Sequence, residues 1–503
     1  MEDFDLEWSY ARIGFEDDVL PLECGCVQEP RTSVEVAVIR IANLIRNTPC
    51  WRTLLRDANA VAKWRYEAEQ EAEALSDHQM KTTFSELFNY ALEECMDDAQ
   101  NAPTRFGTYG VHFEDGLIPS ATESALKAHA AFLLDSKLSD QIYRLPREPY
   151  NDARDWLPQL EALVDLIHPS RYSLASHNVA LPPALPTRTG WARRSCNFQW
   201  LPVEFHLETG ADRACFSSYI NNVNPIRHCE VYDAMATVLG QLVPLFEHVL
   251  TDLQRPRRLV IDWQCKDHYR EPKDATDEVI ENFRDLMAMT NVHWDYKPHP
   301  PPPAAWPRIS LCGRQLQVIV KQTQVLLMPS KPHQPAGRWH VEGLEHERIV
   351  AIGIYCLDVK NVSTPSLGLR SATGNPPRYV GEEEAIMAAF GMVDEDRRNQ
   401  YLGEINLVPG RCVAFPNVYQ HKFSAISLLD RTRNGHSTLI SFLLIDPSTR
   451  ITSTLQVPPQ QPDWTDLATS GVDDDALVEQ QTEERLDLSR LWHAFDNFVK
   501  LDD

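Results

Sequence analysis

The stretch GRWHVEGLEHERIVAIGIYCL, residues 337–357, combines a histidine and a glutamate two positions apart with a long apolar run. Other short apolar runs lie near it, separated for the most part by Gly, Pro, Asn and Asp. They are LQVIVK (316–321), QVLLM (324–328), SLGLRS (366–371), RCVAFP (411–416) and STLISFLLI (437–445). Short apolar runs at this spacing predict the strands of an antiparallel sandwich or jelly roll.

The first third of the chain has a helical pattern instead. Val34, Val38, Ile41 and Ile45 fall on one face of a predicted helix, and Ser33 is placed to cap it. Further helices are predicted at roughly 51–73, 82–97, 121–147, 158–167 and 231–245. A proline at position 244 should kink or end the last of these.

These patterns together predict an α+β protein. Its core is a double-stranded β-helix (jelly roll), with an α-helical N-terminal region and peripheral helices. The predicted segments are an acidic N-terminal arm (1–32), an α-rich region (33–190), the jelly-roll domain (191–470) and an acidic helical tail (471–503). PHPPPPAAWP (298–307) is a stiff breaker that we interpret as a surface loop inserted between two strands, with a domain boundary as the alternative.

Charge and cysteine usage limit the class of protein. The net charge of −24 repels phosphate backbones, so nucleic acid and anionic membranes are poor partners. The N-terminus MEDFDLEWSY lacks the pattern of a secretory signal, and apolar runs such as 349–357 are far shorter than a membrane span. The 11 cysteines include no CxxC pair, which is typical of reduced thiols. We therefore expect a cytoplasmic protein, and the sequence does not predict its oligomeric state.

His340 and Glu342 are candidate metal ligands. On an extended strand, side chains at positions i and i+2 point to the same face. A mononuclear oxygenase iron needs two imidazoles and one carboxylate on one face. His421, which follows the distant stretch FPN (415–417), is the candidate for the third ligand. An ordinary surface pair of histidines is the alternative interpretation.

The tripeptide alone is a weak signal, because the chain contains others like it. They are His112-Phe113-Glu114, His206-Leu207-Glu208, His228-Cys229-Glu230 and His293-Trp294-Asp295. His340 differs in its setting, since an apolar strand follows soon after it and a second histidine lies at jelly-roll distance. Glu345, His346 and Glu347 are interpreted as polar loop residues.

Several stretches match the pattern of a known family. They are LVDLIHPSRY (163–172), FQWLP (198–202), SYINNVNP (218–225), LQVIVK (316–321), GRWHVEG (337–343), NVSTPSLGLR (361–370), CVAFPNVYQH (412–421), LIDP (444–447) and STLQVPPQQPDW (453–464). On these residues the chain resembles a large, mostly fungal group of proteins of unknown function, itself similar to Fe(II)- and 2-oxoglutarate-dependent oxygenases. The resemblance implies His340, Glu342 and His421 as Fe(II) ligands, 2-oxoglutarate as co-substrate and a small metabolite as substrate.

One position departs from the pattern that the resemblance implies. Ser437 stands where an arginine is expected to pair with the distal carboxylate of 2-oxoglutarate. Arg370, Arg431 and Arg433 are the candidate replacements, and His436 is a weaker one. A solvated turn is the alternative interpretation for Arg431 and Arg433.

Two other classes of function stay open on the sequence. Loss of co-substrate binding at Ser437 is compatible with a jelly-roll binding or scaffold protein. A metal-dependent enzyme that uses no 2-oxoglutarate is the third possibility. The sequence contains neither a GxSxG elbow nor a Walker loop, so it offers no sign of a nucleophilic serine hydrolase or an NTPase.

Overall fold

The structure is a computed structural model that describes residues 31, 33–73, 84–99, 103–106, 110–135, 163–175, 198–254, 276–277, 308–372, 399–461 and 464. Apart from Arg31, the predicted acidic arm lies outside the described residues. The Pro-rich segment at 298–307 and the predicted acidic tail at 471–503 lie outside them too.

The helices of the N-terminal third follow the predicted pattern with two differences. The described helices are α1 (Ser33–Asn47), α2 (Trp51–Leu54), α3 (Ala58–Glu73), α4 (Phe84–Asp98), α5 (Ser120–Asp135) and α6 (Cys229–Gln254). The helix predicted at 51–73 is interrupted because Asp57 caps a new helix, its carboxylate accepting the N–H groups of Asn59 and Ala60 at 2.9 Å. The helix predicted at 158–167 is wrong in its described part, since 163–167 is a strand.

Helix α6 runs through Pro244 without ending there. The helix therefore continues for ten residues beyond the proline. By length and composition alone α6 can cross a membrane, but 67% of its most apolar window is buried inside the structure. It packs against β-strands of the main sheet, as a core helix does.

Sixteen strands occur within the described residues. They are β1 (Thr104–Arg105), β2 (His112–Asp115), β3 (Leu163–Ile167), β4 (Leu174–Ala175), β5 (Phe198–Gln199), β6 (Val203–His206), β7 (Cys215–Phe216), β8 (Gln315–Leu327), β9 (His333–Gln334), β10 (Ile349–Lys360), β11 (Ser366–Ala372), β12 (Asn399–Asn406), β13 (Arg411–Pro416), β14 (Gln420–Phe423), β15 (Ile426–Ser427) and β16 (Gly435–Ile445).

The main sheet is antiparallel and has the order β1-β2-β13-β10-β16-β8-β6-β7, with β3 also paired to β8. A smaller antiparallel sheet has the order β12-β11-β14. Strands from both sides of residue 190, the predicted boundary of the jelly-roll domain, thus share the main sheet. The protein is therefore of mixed α/β type with antiparallel sheets.

The two faces of the main sheet bury different partners. One face packs on α6, with Val318 and Val320 of β8 in that core. The opposite face, called the inner face below, packs against the smaller sheet, where Ile319, Leu367 and Leu369 share one apolar cluster. Because side chains alternate along a strand, odd-numbered residues of β8 such as Lys321 belong to the inner face.

Candidate metal centre

His340 and His421 are held opposite each other by the backbone. The N–H of His340 donates to the carbonyl of His421 at 3.1 Å, and the N–H of His421 donates to the carbonyl of His340 at 2.9 Å. Residues that exchange both hydrogen bonds across an antiparallel bridge present their side chains on one face. The two imidazole centroids are accordingly 4.3 Å apart.

Glu342 completes a group of three potential ligands. One ligand atom from each of His340, Glu342 and His421 lies within 4.8 Å of the others. His340 Nε2 and Glu342 Oε1 are 3.9 Å apart. Within the described residues, no other group of three His, Cys, Asp or Glu side chains meets this geometry. Of the competing tripeptides, 293–295 lies outside those residues and the others form no such group.

The imidazole nitrogens have the environment that a metal site requires. His340 Nδ1 lies 2.8 Å from the carbonyl of Arg338, which assigns the proton to Nδ1 and leaves the lone pair on Nε2. His421 is buried, and its Nδ1 has no hydrogen-bond partner within the described part of the chain. Burial, with the charge of His340 adding to it, holds the pKa of His421 well below its usual value, so the His421 ring is available as a neutral ligand.

Asn417 fixes the backbone of Glu342. Its Oδ1 accepts the Glu342 N–H at 2.9 Å, while its Nδ2 donates to the carbonyls of Glu342 at 2.9 Å and Ile349 at 3.1 Å. Asn417 itself is tied to β10, because its N–H donates to the carbonyl of Val350. The proposed carboxylate ligand is thus anchored to the main sheet.

The turn after Glu342 depends on Gly343 and Glu347. Gly343 has φ +70°, and a Cβ there would lie 2.4 Å from a methyl carbon of Ile349. Glu347 is fully buried and accepts the N–H groups of Leu344 at 2.8 Å and Trp200 at 2.7 Å. Glu347 therefore supports the turn from inside, as a polar loop residue that is buried in a short 3-10 turn.

Lys321 is the charged neighbour that the sequence patterns did not single out. Its Nζ lies 2.8 Å and 2.9 Å from the two carboxylate oxygens of Glu342. Burial by itself would raise the pKa of Glu342, but the charge of Lys321, aided by the histidines, lowers it to about 2. The only local signal for Lys321 was its position, since it continues the inner face of LQVIVK two residues after Ile319.

Asp165 and Trp200 lie beside Lys321. Asp165 is opposite Thr323 in the pairing of β3 with β8, which puts it on the same face as Lys321. Burial raises the pKa of Asp165 to about 7, with Lys321 opposing that shift. The Lys321 ammonium lies 5.6 Å from the centre of the Trp200 ring. Both residues come from stretches (163–172 and 198–202) whose chemistry the sequence alone did not explain.

The structure does not bring Arg370 to the triad. In the pairing of β11 with β14, Leu369 is opposite His421, and Arg370 is opposite Gln420. Arg370 therefore points away from the inner face. On the other side of the smaller sheet its Nε donates to Gln420 Oε1, and its guanidinium lies 4.8 Å from the centre of the Trp339 ring. This placement does not support the predicted contact of Arg370 with 2-oxoglutarate.

The other candidate cations are also placed elsewhere. Arg431 and Arg433 are exposed in the turn before β16, where Arg433 pairs with Asp430 at 2.8 Å. His436 pairs with Asp358 at 2.8 Å. Ser437 is buried and opposite Val325, hence on the inner face. None of these placements supports a co-substrate contact from Arg431, Arg433 or His436.

Residues 85–468 match the family described as "Protein of unknown function (DUF4246)". The chain belongs to this family. No functionally curated protein matches it.

Among solved structures, three that match are from proteins with little sequence identity to this member. The Fe(II)/(alpha)ketoglutarate-dependent dioxygenase TqaL is 9% identical, with 79% of this chain and 90% of that one covered and a TM-score of 0.23. AviO1 from Streptomyces viridochromogenes Tue57 is 11% identical, with coverages of 67% and 91% and a TM-score of 0.25. IDO from Bacillus thuringiensis is 6% identical, with coverages of 48% and 72% and a TM-score of 0.21. Likenesses with such low TM-scores carry no weight for the function of this chain.

Proposed function

We propose that this protein is a non-haem Fe(II)- and 2-oxoglutarate-dependent oxygenase that acts on a small molecule in the cytoplasm. The observation that carries the proposal is the convergence of His340, Glu342 and His421, with ligand atoms within 4.8 Å. Two imidazoles and one carboxylate on one face are the ligand set of mononuclear Fe(II) oxygenases.

The strand order supports a jelly-roll core. One sheet contains β8-β16-β10-β13, and the facing sheet contains β14-β11-β12, extended by the bridge between His340 and His421. Counted with that bridge segment, these are eight strands in two facing antiparallel sheets, as in a double-stranded β-helix. The triad then lies at the inner side of the smaller sheet.

The residues present fit a divalent cation of the first transition row. His340 is held in one tautomer by Arg338, the buried Nδ1 of His421 has no hydrogen-bond partner among the residues that the structure describes, and Asn417 orients Glu342. When bound, Fe(II) and 2-oxoglutarate would supply the oxidising chemistry. The chain itself supplies fixed ligands, and it makes the His421 side of the site apolar, since the rings of Phe415 and Phe423 lie edge-on to the His421 ring with centroid distances of 5.1 Å and 6.3 Å.

The test is anaerobic addition of Fe(II) and then 2-oxoglutarate to the purified full-length protein. We expect a metal-to-ligand charge-transfer band in the wild type and in His333→Ala, which removes an exposed histidine bonded to Ser427. His340→Ala should abolish the band. In air, the wild type should form succinate slowly even without its substrate.

A second candidate is a binding or scaffold protein of the same fold. It is favoured by the placement of Arg370, Arg431 and Arg433 away from the triad. Fe(II) binding without any response to 2-oxoglutarate would refute the oxygenase function and leave the metal site standing, as for a metal-dependent enzyme of another kind. Failure to bind a divalent metal would remove both metal-based functions.

A further inference from the structure

The Lys321 side chain is a cation on the inner face with no role in the metal ligand set. Its ammonium contacts both oxygens of Glu342 and its side chain is only 16% exposed. A buried ammonium is costly unless it has a negative partner. The ion pair with Glu342 satisfies that need only while the carboxylate keeps its full charge.

A dicarboxylate ligand creates a demand for such a cation. A 2-oxoacid chelates a metal through its 2-oxo group and the adjacent carboxylate. In 2-oxoglutarate this leaves a second carboxylate at the far end of the molecule. That group needs charge-assisted hydrogen bonds in a region with little water. Arg370 faces away from the triad, and Arg433 is paired with Asp430 in an exposed turn.

Apart from Asp165, whose carboxyl lies beside Lys321, the formal charges at the site balance when Lys321 is counted. With neutral histidines, Glu342 and Lys321 cancel, so a divalent cation leaves two positive charges. The dianion of 2-oxoglutarate cancels those two charges. Without Lys321 the loaded site would carry an unbalanced negative charge, which burial disfavours.

Hydroxyl groups on the neighbouring strand add donors for a carboxylate. Ser441 is directly opposite Lys321 in the pairing of β8 with β16, and Ser437 is opposite Val325. Directly opposite residues share a face of the sheet, so both hydroxyls lie on the inner face. The ammonium and the neighbouring Ser441 hydroxyl are hydrogen-bond donors, and the carboxyl groups of Glu342 and Asp165 are the acceptors that already lie beside the ammonium.

We propose that Lys321 is the residue that binds the distal carboxylate of the co-substrate, with Ser441 beside it. This role depends on the proposed function and specifies a 2-oxo dicarboxylate over a 2-oxo monocarboxylate. Lys321 pairs with Glu342 until that carboxylate shares its charge with a divalent cation. Its flexible four-carbon side chain then lets the ammonium turn to the new carboxylate.

The experiment compares two 2-oxoacids on the Fe(II)-loaded full-length protein under anaerobic conditions. 2-Oxoglutarate has the distal carboxylate, and 2-oxovalerate has the same chain length without it. Dissociation constants come from the charge-transfer band and from calorimetry. The variants are Lys321→Gln, whose amide can still donate to Glu342, Lys321→Arg, which keeps the charge, and Lys360→Met, which removes an exposed lysine from the end of β10.

We expect Lys321→Gln to weaken the binding of 2-oxoglutarate about 10- to 100-fold, the usual cost of a lost hydrogen bond to a charged group. The affinity for 2-oxovalerate should stay unchanged. Lys321→Arg should retain most of the affinity, and Lys360→Met should behave as the wild type. Equal weakening of both acids, or of neither, overturns the role of Lys321 while the oxygenase function stands. A metal-loaded wild type that responds to neither acid refutes the proposed function and the role of Lys321 together.

Should Lys321→Gln fail to hold Fe(II), Lys321→Met gives the same comparison, and circular dichroism with metal stoichiometry shows that each variant is folded and loaded. Loss of metal from both neutral variants, with Lys321→Arg loaded normally, assigns Lys321 to support of Glu342 and overturns its role as a carboxylate anchor.

Discussion

Replacement of Asn417 by alanine should separate the support of the metal centre from the stability of the fold. The variant loses three hydrogen bonds, two to the backbone of Glu342 and one to the carbonyl of Ile349. At about 1 kcal/mol for each net hydrogen bond, the free energy of unfolding should fall by roughly 3 kcal/mol. Because the carboxylate ligand is no longer oriented, metal affinity should fall about 10- to 100-fold.

Asn361 provides a matched control. Its Nδ2 donates to the carbonyls of Asp430 at 2.9 Å, Arg433 at 3.0 Å and Asn434 at 3.3 Å, and its Oδ1 accepts the Asp430 N–H at 2.8 Å. Its φ of 53° adds backbone strain for alanine. Asn361→Ala should therefore lose at least as much stability as Asn417→Ala.

The stability of both variants is measured by urea unfolding. Their metal affinity is then measured without denaturant, at a temperature where both are folded, by competition with a chelator for Fe(II) or Co(II). Asn361→Ala should bind metal as the wild type does. If Asn417→Ala also binds metal normally, or if both variants lose affinity in proportion to their stability, the assignment of Asn417 as the anchor of Glu342 is refuted.

Three further outcomes follow from the buried polar groups. Arg46→Ala removes the guanidinium that pairs with the buried Glu94 and with Asp98, and within the described residues only Asp98 keeps a second partner, Arg105; urea unfolding should show a loss of about 3–5 kcal/mol. Burial raises the pKa of the Cys356 thiol to about 12, so iodoacetamide should label exposed Cys215 in the native protein and label Cys356 only on unfolding, as checked by peptide mass spectrometry. Burial, with His228 adding to it, lowers the pKa of His129 to about 4, so the folded state disfavours its protonation. Stability should thus be lost as the pH falls below the unfolded value of 6.5, by about 3 kcal/mol at pH 4, and His129→Leu should remove that part of the pH dependence of unfolding.

The outward orientation of Arg370 can be predicted from the sequence of its own strand. In SLGLRS, Leu367 and Leu369 alternate with Gly368 and Arg370, so the apolar face and the arginine lie on opposite sides. The expectation of an inward Arg370 ignored this period of two. The helix predicted at 158–167 failed for the opposite reason, because a short apolar run such as LVDLI is compatible with either a helix or a buried strand.

The spacing of His340 and Glu342, the apolar runs and the apolar face of the first helix are local properties, because side-chain direction repeats with the period of a single strand or helix. For this reason the sequence by itself determined the strands of the core, the first helix and the candidate ligands. It did not determine which charges would surround them. Lys321 reaches Glu342, and Asp165 comes to lie beside Lys321, because β3 and β8 pair in one sheet and the chain folds Glu342 over that sheet. Contacts between residues distant in the chain depend on strand pairing and register, which are decided by the burial of whole sheet faces, and only the tertiary structure places the Lys321 ammonium against Glu342.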